Sequence, residues 1–170
     1  AVVAISMTIY RTGQTSEIME SLITAARSGK EVTAVVELMA RFDEETNISW
    51  ASRLENVGAH VVFGVVGNKT HAKMCLVVRR EKTGLRRYVH FGTGNYHPRT
   101  ARLYTDFGLF TADPILCAEA HEVFHQLTGL GKARPLSKLW QSPFTLHSQI
   151  LKAIRREVTI AKSGGRGLVI

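Results

Sequence analysis

With 170 residues, 45% of them hydrophobic, the chain is long enough for one ordinary domain or a domain plus part of another, and its composition excludes a disordered tail or a fibrous repeat. Its 22 Lys and Arg against 14 Asp and Glu, and a pI near 9.9, favour a polyanionic partner such as nucleic acid, polyphosphate or a nucleotide without choosing among them. No run approaches the roughly 20 apolar residues of a membrane span and the start lacks a charged signal-peptide region; two widely spaced cysteines, Cys75 and Cys117, favour reduced thiols in a cytosolic protein.

Residues 2–10 read as a strand ended by Arg11-Thr12-Gly13. Ser16 is placed to cap a helix with Ile18, Leu22, Ile23 and Ala26 on one face, closed by Gly29. Residues 32–38 are almost continuously apolar, which suits a parallel strand covered on both sides, with Arg41 just past its end. Asp43-Glu44-Glu45 supplies negative charge at the start of a helix whose stripe is Trp50, Leu54 and Val57, and residues 60–66 form the next strand. The alternation predicts an α/β fold with a mixed, largely parallel sheet and helices on both faces.

A key strand is expected over 69–80, a tight turn at Lys82-Thr83-Gly84, and a hairpin partner over 86–91. The loop Gly92-Thr93-Gly94-Asn95 follows, then a short helix begun by Pro98 with Arg99 and Arg102, and a strand over 104–110. Asp113-Pro114 opens a helix to about residue 128, with Leu116, Ala120, Val123 and Leu127 inward. A basic, proline-containing linker is expected at 131–143, which makes residues 1–130 one domain, and a last amphipathic helix runs over 144–161. The chain starts inside one strand-like run without an initiator Met and stops as another begins, so it reads as a portion of a longer protein.

Chemistry concentrates at Lys69-Thr70-His71-Ala72-Lys73. Strand alternation would place Lys69, His71 and Lys73 on one face. An imidazole between two ammonium groups attracts phosphate and is disfavoured from holding its own proton, which leaves a ring nitrogen free to attack phosphorus. Arg11 and Arg41 both follow the C-terminal end of a strand, where ligands gather in open α/β sheets, so their guanidinium groups are placed to converge on the same phosphates. The Gly92–Asn95 loop offers backbone N–H groups and the Asn95 amide to an anion, although a plain tight turn explains those four residues as well. His90 reads equally as a satisfied strand histidine, and Tyr104 either stacks on a nucleotide or fills core space. From another class, His121-Glu122-Val123-Phe124-His125 has the spacing of a helical zinc peptidase site, but the position of a third His, 131, is Gly. Solvated helix histidines are the simpler explanation.

Taken together, Tyr10-Arg11, Val35-Val36-Glu37-Leu38, Ala40-Arg41-Phe42-Asp43-Glu44-Glu45, the Lys69–Lys73 run, Gly92–Asn95 and Thr100-Ala101-Arg102-Leu103-Tyr104-Thr105-Asp106 resemble the type-1 polyphosphate kinases. The resemblance implies a phospholipase-D-like fold, this chain carrying the first of two such C-terminal domains, with residues 144–170 as a helix and the start of the second. It implies that His71 takes the γ-phosphoryl group of ATP and passes it reversibly to inorganic polyphosphate, that Lys73 steadies that group, and that His90 is a second required histidine. Arg11 and Arg41 would hold the Mg2+–phosphate cluster through its phosphates, since a guanidinium has no lone pair for a cation. Asn95 and Arg102 would join the phosphate-binding set, Tyr104 would contact the nucleotide, and no protein side chain is assigned as a direct metal ligand.

The same resemblance implies a cytoplasmic enzyme, at most peripheral to the membrane, homo-oligomeric at full length, with ATP, ADP and polyphosphate rather than a specific nucleic acid as partners. Val78 stands where the phospholipase D signature has Asp, which suits a kinase rather than a phosphodiesterase. With the second domain and its own histidine absent, the chain alone is expected to be nearly inactive. A phospholipase-D-like phosphodiesterase or nuclease, and a non-catalytic polyanion-binding module, remain alternative readings of a His/Lys site on a basic surface.

Overall fold

The structure, a computed structural model, describes residues 1–40, 44–65, 67–129 and 134–170 and divides into two units, Ala1–Ala133 and Arg134–Ile170. In the first unit β1 (Val2–Ile9), α1 (Glu17–Arg27), β2 (Glu31–Val36), α2 (Glu44–Glu55) and β3 (His60–Phe63) alternate. The antiparallel run β4 (Lys73–Glu81), β5 (Gly84–Gly92) and β6 (Gly108–Thr111) follows, and α3 (Pro114–Leu127) ends the unit. Among the described residues these strands make one six-stranded sheet in the order β3-β2-β1-β4-β5-β6. The sheet is mixed: β1, β2 and β3 pair in parallel through the two helical crossovers, while β1–β4, β4–β5 and β5–β6 are antiparallel.

Side-chain alternation sends the apolar residues of each central strand to opposite faces. Met7, Ile9, Val32, Ala34 and Val36 meet Met19, Leu22 and Ile23 of α1 and Trp50, Ala51 and Leu54 of α2 on one face. Val35, Met74, Leu76 and Val89 meet Cys117, Ala120 and Phe124 of α3 on the other. Helices therefore cover both faces, as the near-continuous apolar run of β2 requires. Ser16 caps α1 by accepting from the Met19 N–H, and Asp113 caps α3 by accepting from Ile115 and Leu116, with Pro114 in the first turn.

Several expectations shift. Ile18 is exposed and Met19 is buried instead, because the apolar stripe of α1 starts one residue later. In α3 Cys117 and Phe124 are fully buried, with Val123 and Leu127 only partly so. The expected strand over 104–110 is confined to Gly108–Thr111, so Tyr104 lies outside the sheet. The short helix is a single 3-10 turn, Thr100–Arg102. Most consequentially, residues 69–72 are not strand: β4 begins at Lys73.

In the second unit α4 (Leu146–Lys162) is amphipathic and has no buried residue, with Ile150, Leu151, Ile154 and Val158 all exposed. No helix of the described residues is long and apolar enough to cross a membrane.

Candidate active site

The loop before β4 is held out of the ladder by two buried side chains. The Thr70 N–H donates to Glu37 Oε2 at 2.7 Å, and the other oxygen of that carboxylate accepts from the Met39 N–H at 2.9 Å. The Thr8 hydroxyl donates to the Ala72 carbonyl at 2.6 Å and accepts from the Met74 N–H at 3.0 Å. Backbone groups that would have paired with a neighbouring strand are thus satisfied by side chains, which is why the strand starts later than its apolar pattern suggests. Thr70 is buried and His71 is turned out to solvent.

Lys73, the first residue of β4, is only 7% exposed. Its ammonium group lies 2.9 Å from His71 Nδ1 and 3.1 Å from Nε2, and donates to the His71 carbonyl at 2.7 Å. The expected proximity of His71 and Lys73 is therefore present, but through the lysine folding back on the preceding loop rather than through two strand residues sharing a face. Lys69 is exposed and reaches His71 only through its charge.

Tyr10, at the end of β1, supplies the wall. Its ring meets the His71 ring edge-on at 4.4 Å between centroids, and the Lys73 ammonium and the Arg11 guanidinium each lie 5.1 Å from the Tyr10 ring centroid. A phosphate arriving at His71 meets the cations of Lys73 and Arg11 about one aromatic ring. The buried Asn47 of α2 fixes the base of this arrangement, donating to the carbonyls of both Tyr10 and Glu37 at 2.9 Å. It ties the strand end carrying Arg11 to the one preceding Arg41. Arg41 itself lies outside the described residues.

These surroundings set the proton affinities. Burial and the charges of Lys73, Arg11 and Lys69 hold the His71 imidazole below its ordinary value, opposed by Glu37. Burial, aided by Arg11 and opposed by Asp106, lowers Lys73 to about 8. The pair is thus a neutral imidazole beside an ammonium that gives up its proton more readily than usual, a combination suited to nucleophilic attack followed by charge neutralisation on the transferred group.

The remaining candidates form a neighbouring cluster. His90 Nδ1 and the Tyr96 hydroxyl are 2.8 Å apart, the His90 ring tilts against Phe110 at 4.4 Å, and burial lowers its proton affinity. The Gly92–Asn95 loop is pinned to the segment before β6. The Thr93 N–H donates to the Phe107 carbonyl at 3.0 Å, and the Thr93 hydroxyl accepts from the Phe107 N–H at 2.9 Å and donates to Asp106 at 3.2 Å. Asp106 fills the space a Cβ on Gly94 would take, so Gly94 lets the two segments approach. The Thr93 N–H is therefore engaged within the protein. Asn95 Oδ1 is buried without a hydrogen-bond partner among the described residues. Arg102 and Tyr104 are both exposed, Tyr104 at 69%, and no hydrogen bond or ring contact joins either to His71.

His121 and His125 sit one turn apart on α3 with ring centroids 4.7 Å apart, and burial together with Arg87 and His125 lowers the proton affinity of His121. No group of three or more metal-binding side chains occurs among the described residues.

Sequence reasoning did not assign Tyr10, Glu37, Asn47 or Thr8 to the site. A Glu ending an apolar strand, and an Asn on the apolar side of α2, were the available signals, since an ionisable or amide group at a core position needs a partner.

A six-stranded mixed sheet with helices on both faces, carrying a cation-flanked histidine in the loop before β4, is of phospholipase-D-like fold. The comparisons agree: the family model described as "Polyphosphate kinase C-terminal domain 1" matches residues 1–133. The polyphosphate kinase of Burkholderia ambifaria is 65% identical over 174 residues, covering 100% of this chain and 25% of its own length. That of Paraburkholderia phytofirmans is 64% identical, with 99% and 25% covered. The crystal structure of polyphosphate kinase from Porphyromonas gingivalis superposes with a TM-score of 0.82 at 34% identity, covering 96% of this chain and 27% of that one. The chain belongs to the polyphosphate kinase family and carries its C-terminal domain 1, spanning about a quarter of the length of those relatives.

Proposed function

We propose that this chain provides the phosphohistidine centre of an ATP:polyphosphate phosphotransferase. The observation that carries the reading is the His71 ring in contact with the Lys73 ammonium, against Tyr10 and within the field of Arg11. A ring nitrogen of neutral His71 attacks the γ-phosphorus of ATP. The P–N bond forms as the bond to the β,γ-bridging oxygen breaks, and ADP leaves with that oxygen. A terminal oxygen of polyphosphate then attacks the same phosphorus, the P–N bond breaks, and the chain is one unit longer; the reverse sequence makes ATP from ADP.

The Lys73 ammonium lies within 3.1 Å of both ring nitrogens of His71, so it is in place to meet the oxygens of a phosphoryl group that reaches either one. Charge neutralisation and positioning are what phosphoryl transfer chiefly requires, and both come from the Lys73 and Arg11 cations, with Arg41 as a third. His90, Asn95, Arg102 and Tyr104 are assigned to the surrounding phosphate and nucleotide contacts. Around His71 the carboxylates are already engaged, Glu37 by two N–H groups and Asp106 by Thr93. The donor set therefore fits magnesium carried on phosphate oxygens, which Arg11 and Arg41 would hold through those oxygens, and when bound the ion adds charge neutralisation.

Incubation of the full-length parent with γ-labelled ATP tests the reading. Label stable to base and lost in acid should appear on His71, be discharged by ADP or polyphosphate, and vanish in His71→Gln. Labelled ATP that leaves His71 unmodified while phosphodiesters are hydrolysed overturns it in favour of a phosphodiesterase. Polyphosphate binding with neither activity leaves a binding module. The 170-residue chain alone is expected to turn over little ATP, because it spans a quarter of its relatives' length.

A further inference from the structure

The β4–β5 hairpin breaks a pairing rule. Arg79 lies directly opposite Arg86, an arrangement in which like charges destabilise a sheet. Arg80, Lys82 and Arg87 bring the count to five cations within residues 79–87, against the single carboxylate of Glu81, and all five cationic residues are exposed. That carboxylate is engaged, accepting from the Tyr88 hydroxyl at 2.6 Å with Arg79 Nε at 3.6 Å. The guanidinium carbons of Arg79 and Arg86 lie 6.0 and 5.4 Å from the Tyr88 ring centroid, so one ring braces both. Nothing in the fold requires this concentration of charge at a hairpin.

We propose that this hairpin anchors the polyphosphate chain at a distance from its reacting end. The inference rests on the reading that polyphosphate is the substrate. Paired guanidinium groups match successive phosphates with two parallel hydrogen bonds each, and an anion bound between Arg79 and Arg86 relieves their mutual repulsion. Lys73 and Arg79 occupy the same face of β4, six residues apart, or about 20 Å of strand. Between them Cys75, Val77, Tyr88, His90 and Phe110 line a shallow apolar groove of about 300 Å³. Phosphates spanning it remain in water, and the chain is held only at its two ends.

Short oligophosphates cannot touch both sites. A long chain can, and its tethering raises the effective concentration of its end at His71. Single-stranded nucleic acid is the competitor to exclude, since the exposed Phe110 ring in the groove offers a face on which a base can stack. Polyphosphate is favoured because this chain belongs to the polyphosphate kinase family, and an oligonucleotide of matched charge decides between them.

The test uses the full-length parent carrying Arg79→Gln with Arg86→Gln, and separately Arg79→Glu with Arg86→Glu. Equilibrium binding of polyphosphate several hundred units long and of tripolyphosphate is measured across a salt series, with kcat and KM for both. The Gln pair should weaken long-chain binding about tenfold and reduce the salt slope by about one to two, and the Glu pair should weaken it further. Tripolyphosphate affinity and kcat should stay unchanged, and the Gln pair should not lower Tm, since it removes a repulsion. Unchanged long-chain affinity, or equal weakening for both lengths, overturns the anchor. So does an oligonucleotide of matched charge that outcompetes polyphosphate on the wild type and loses its own affinity in the variants. If the wild type fails to make polyphosphate from ATP the kinase reading falls, while the binding arm still decides whether the hairpin holds the polyanion.

Discussion

Glu37→Gln removes one charge and one acceptor from the clamp that holds the His71 loop. The carboxylate accepts from two backbone N–H groups, Met39 at 2.9 Å and Thr70 at 2.7 Å, and is itself 3% exposed. Gln keeps one acceptor oxygen and turns an N–H2 toward the other backbone donor. One charge-assisted bond, worth about 1.5–3 kcal/mol, is lost, and a buried donor is left facing another donor at a further cost of about 1 kcal/mol. Roughly 3 kcal/mol of destabilisation is therefore expected, or about 10 °C in the thermal midpoint for a unit of 133 residues.

Thermal and urea unfolding of the 170-residue chain measure that loss. Phosphohistidine labelling of the full-length parent, below the midpoint of both proteins, then measures function. Because the bond to Thr70 adjoins His71, the labelling rate should fall at least tenfold while the protein is still folded. Glu37→Asp retains the charge on a shorter stem and should recover part of the stability. A midpoint moved by less than about 2 °C, or full-rate labelling in the Gln variant, would refute the view that this carboxylate sets the histidine loop.

Burial, together with the charges of Lys73 and Arg11, lowers the proton affinity of the His71 imidazole, so single-turnover labelling should lose rate on the acid side only below the ordinary histidine value of 6.5. In Lys73→Met residual labelling should have its acid limb displaced to higher pH, and an unmoved limb would argue against the coupling. Labelling by the wild type should decline as pH rises through about 8, where Lys73 loses its proton, and Lys73→Arg should move that decline upward. Gly108→Ala places a Cβ 2.8 Å from His90 Nε2, and the ring must leave Tyr96 and Phe110 at a cost of about 1–3 kcal/mol. A double-mutant cycle with His90→Ala, read by urea unfolding, should show most of that cost relieved; additive effects would count against it. Burial raises Cys75 to about 11 and also raises Cys117, so a thiol reagent at pH 8 should modify both more slowly in the native chain than in denaturant, Cys117 the slower because it is buried while Cys75 is only partly so. Labelling of Cys75 as fast in the native chain as in denaturant would contradict its raised proton affinity.

Much of the scaffold was legible from local patterns. The Ser16 and Asp113 caps, the near-continuous apolar run of β2 and the Lys82-Thr83-Gly84 turn are each local signals whose energetics operate within a few residues. So was the association of His71 with Lys73, because two residues apart in the chain they cannot lie far apart. Its form was not legible. Alternation predicted a strand through residue 71, whereas the carboxylate of Glu37 and the hydroxyl of Thr8, 33 and 64 positions away from their partners, draw that backbone into a loop. Tyr104 was read as a strand residue and lies instead before a shortened β6, where the Thr93 contacts to Asp106 and Phe107 fix the preceding segment.

The sequence by itself determined that the chain is a basic α/β protein with a histidine set between two lysines, because composition and periodicity act on each segment independently of the others. Which groups surround that histidine was decided by tertiary structure. Tyr10, Glu37 and Asn47 are ordinary strand and helix residues until β1, β2 and α2 pack together. Only then does burial make each of their polar groups find a partner, and the available partners are the backbone atoms that aim His71 and Arg11.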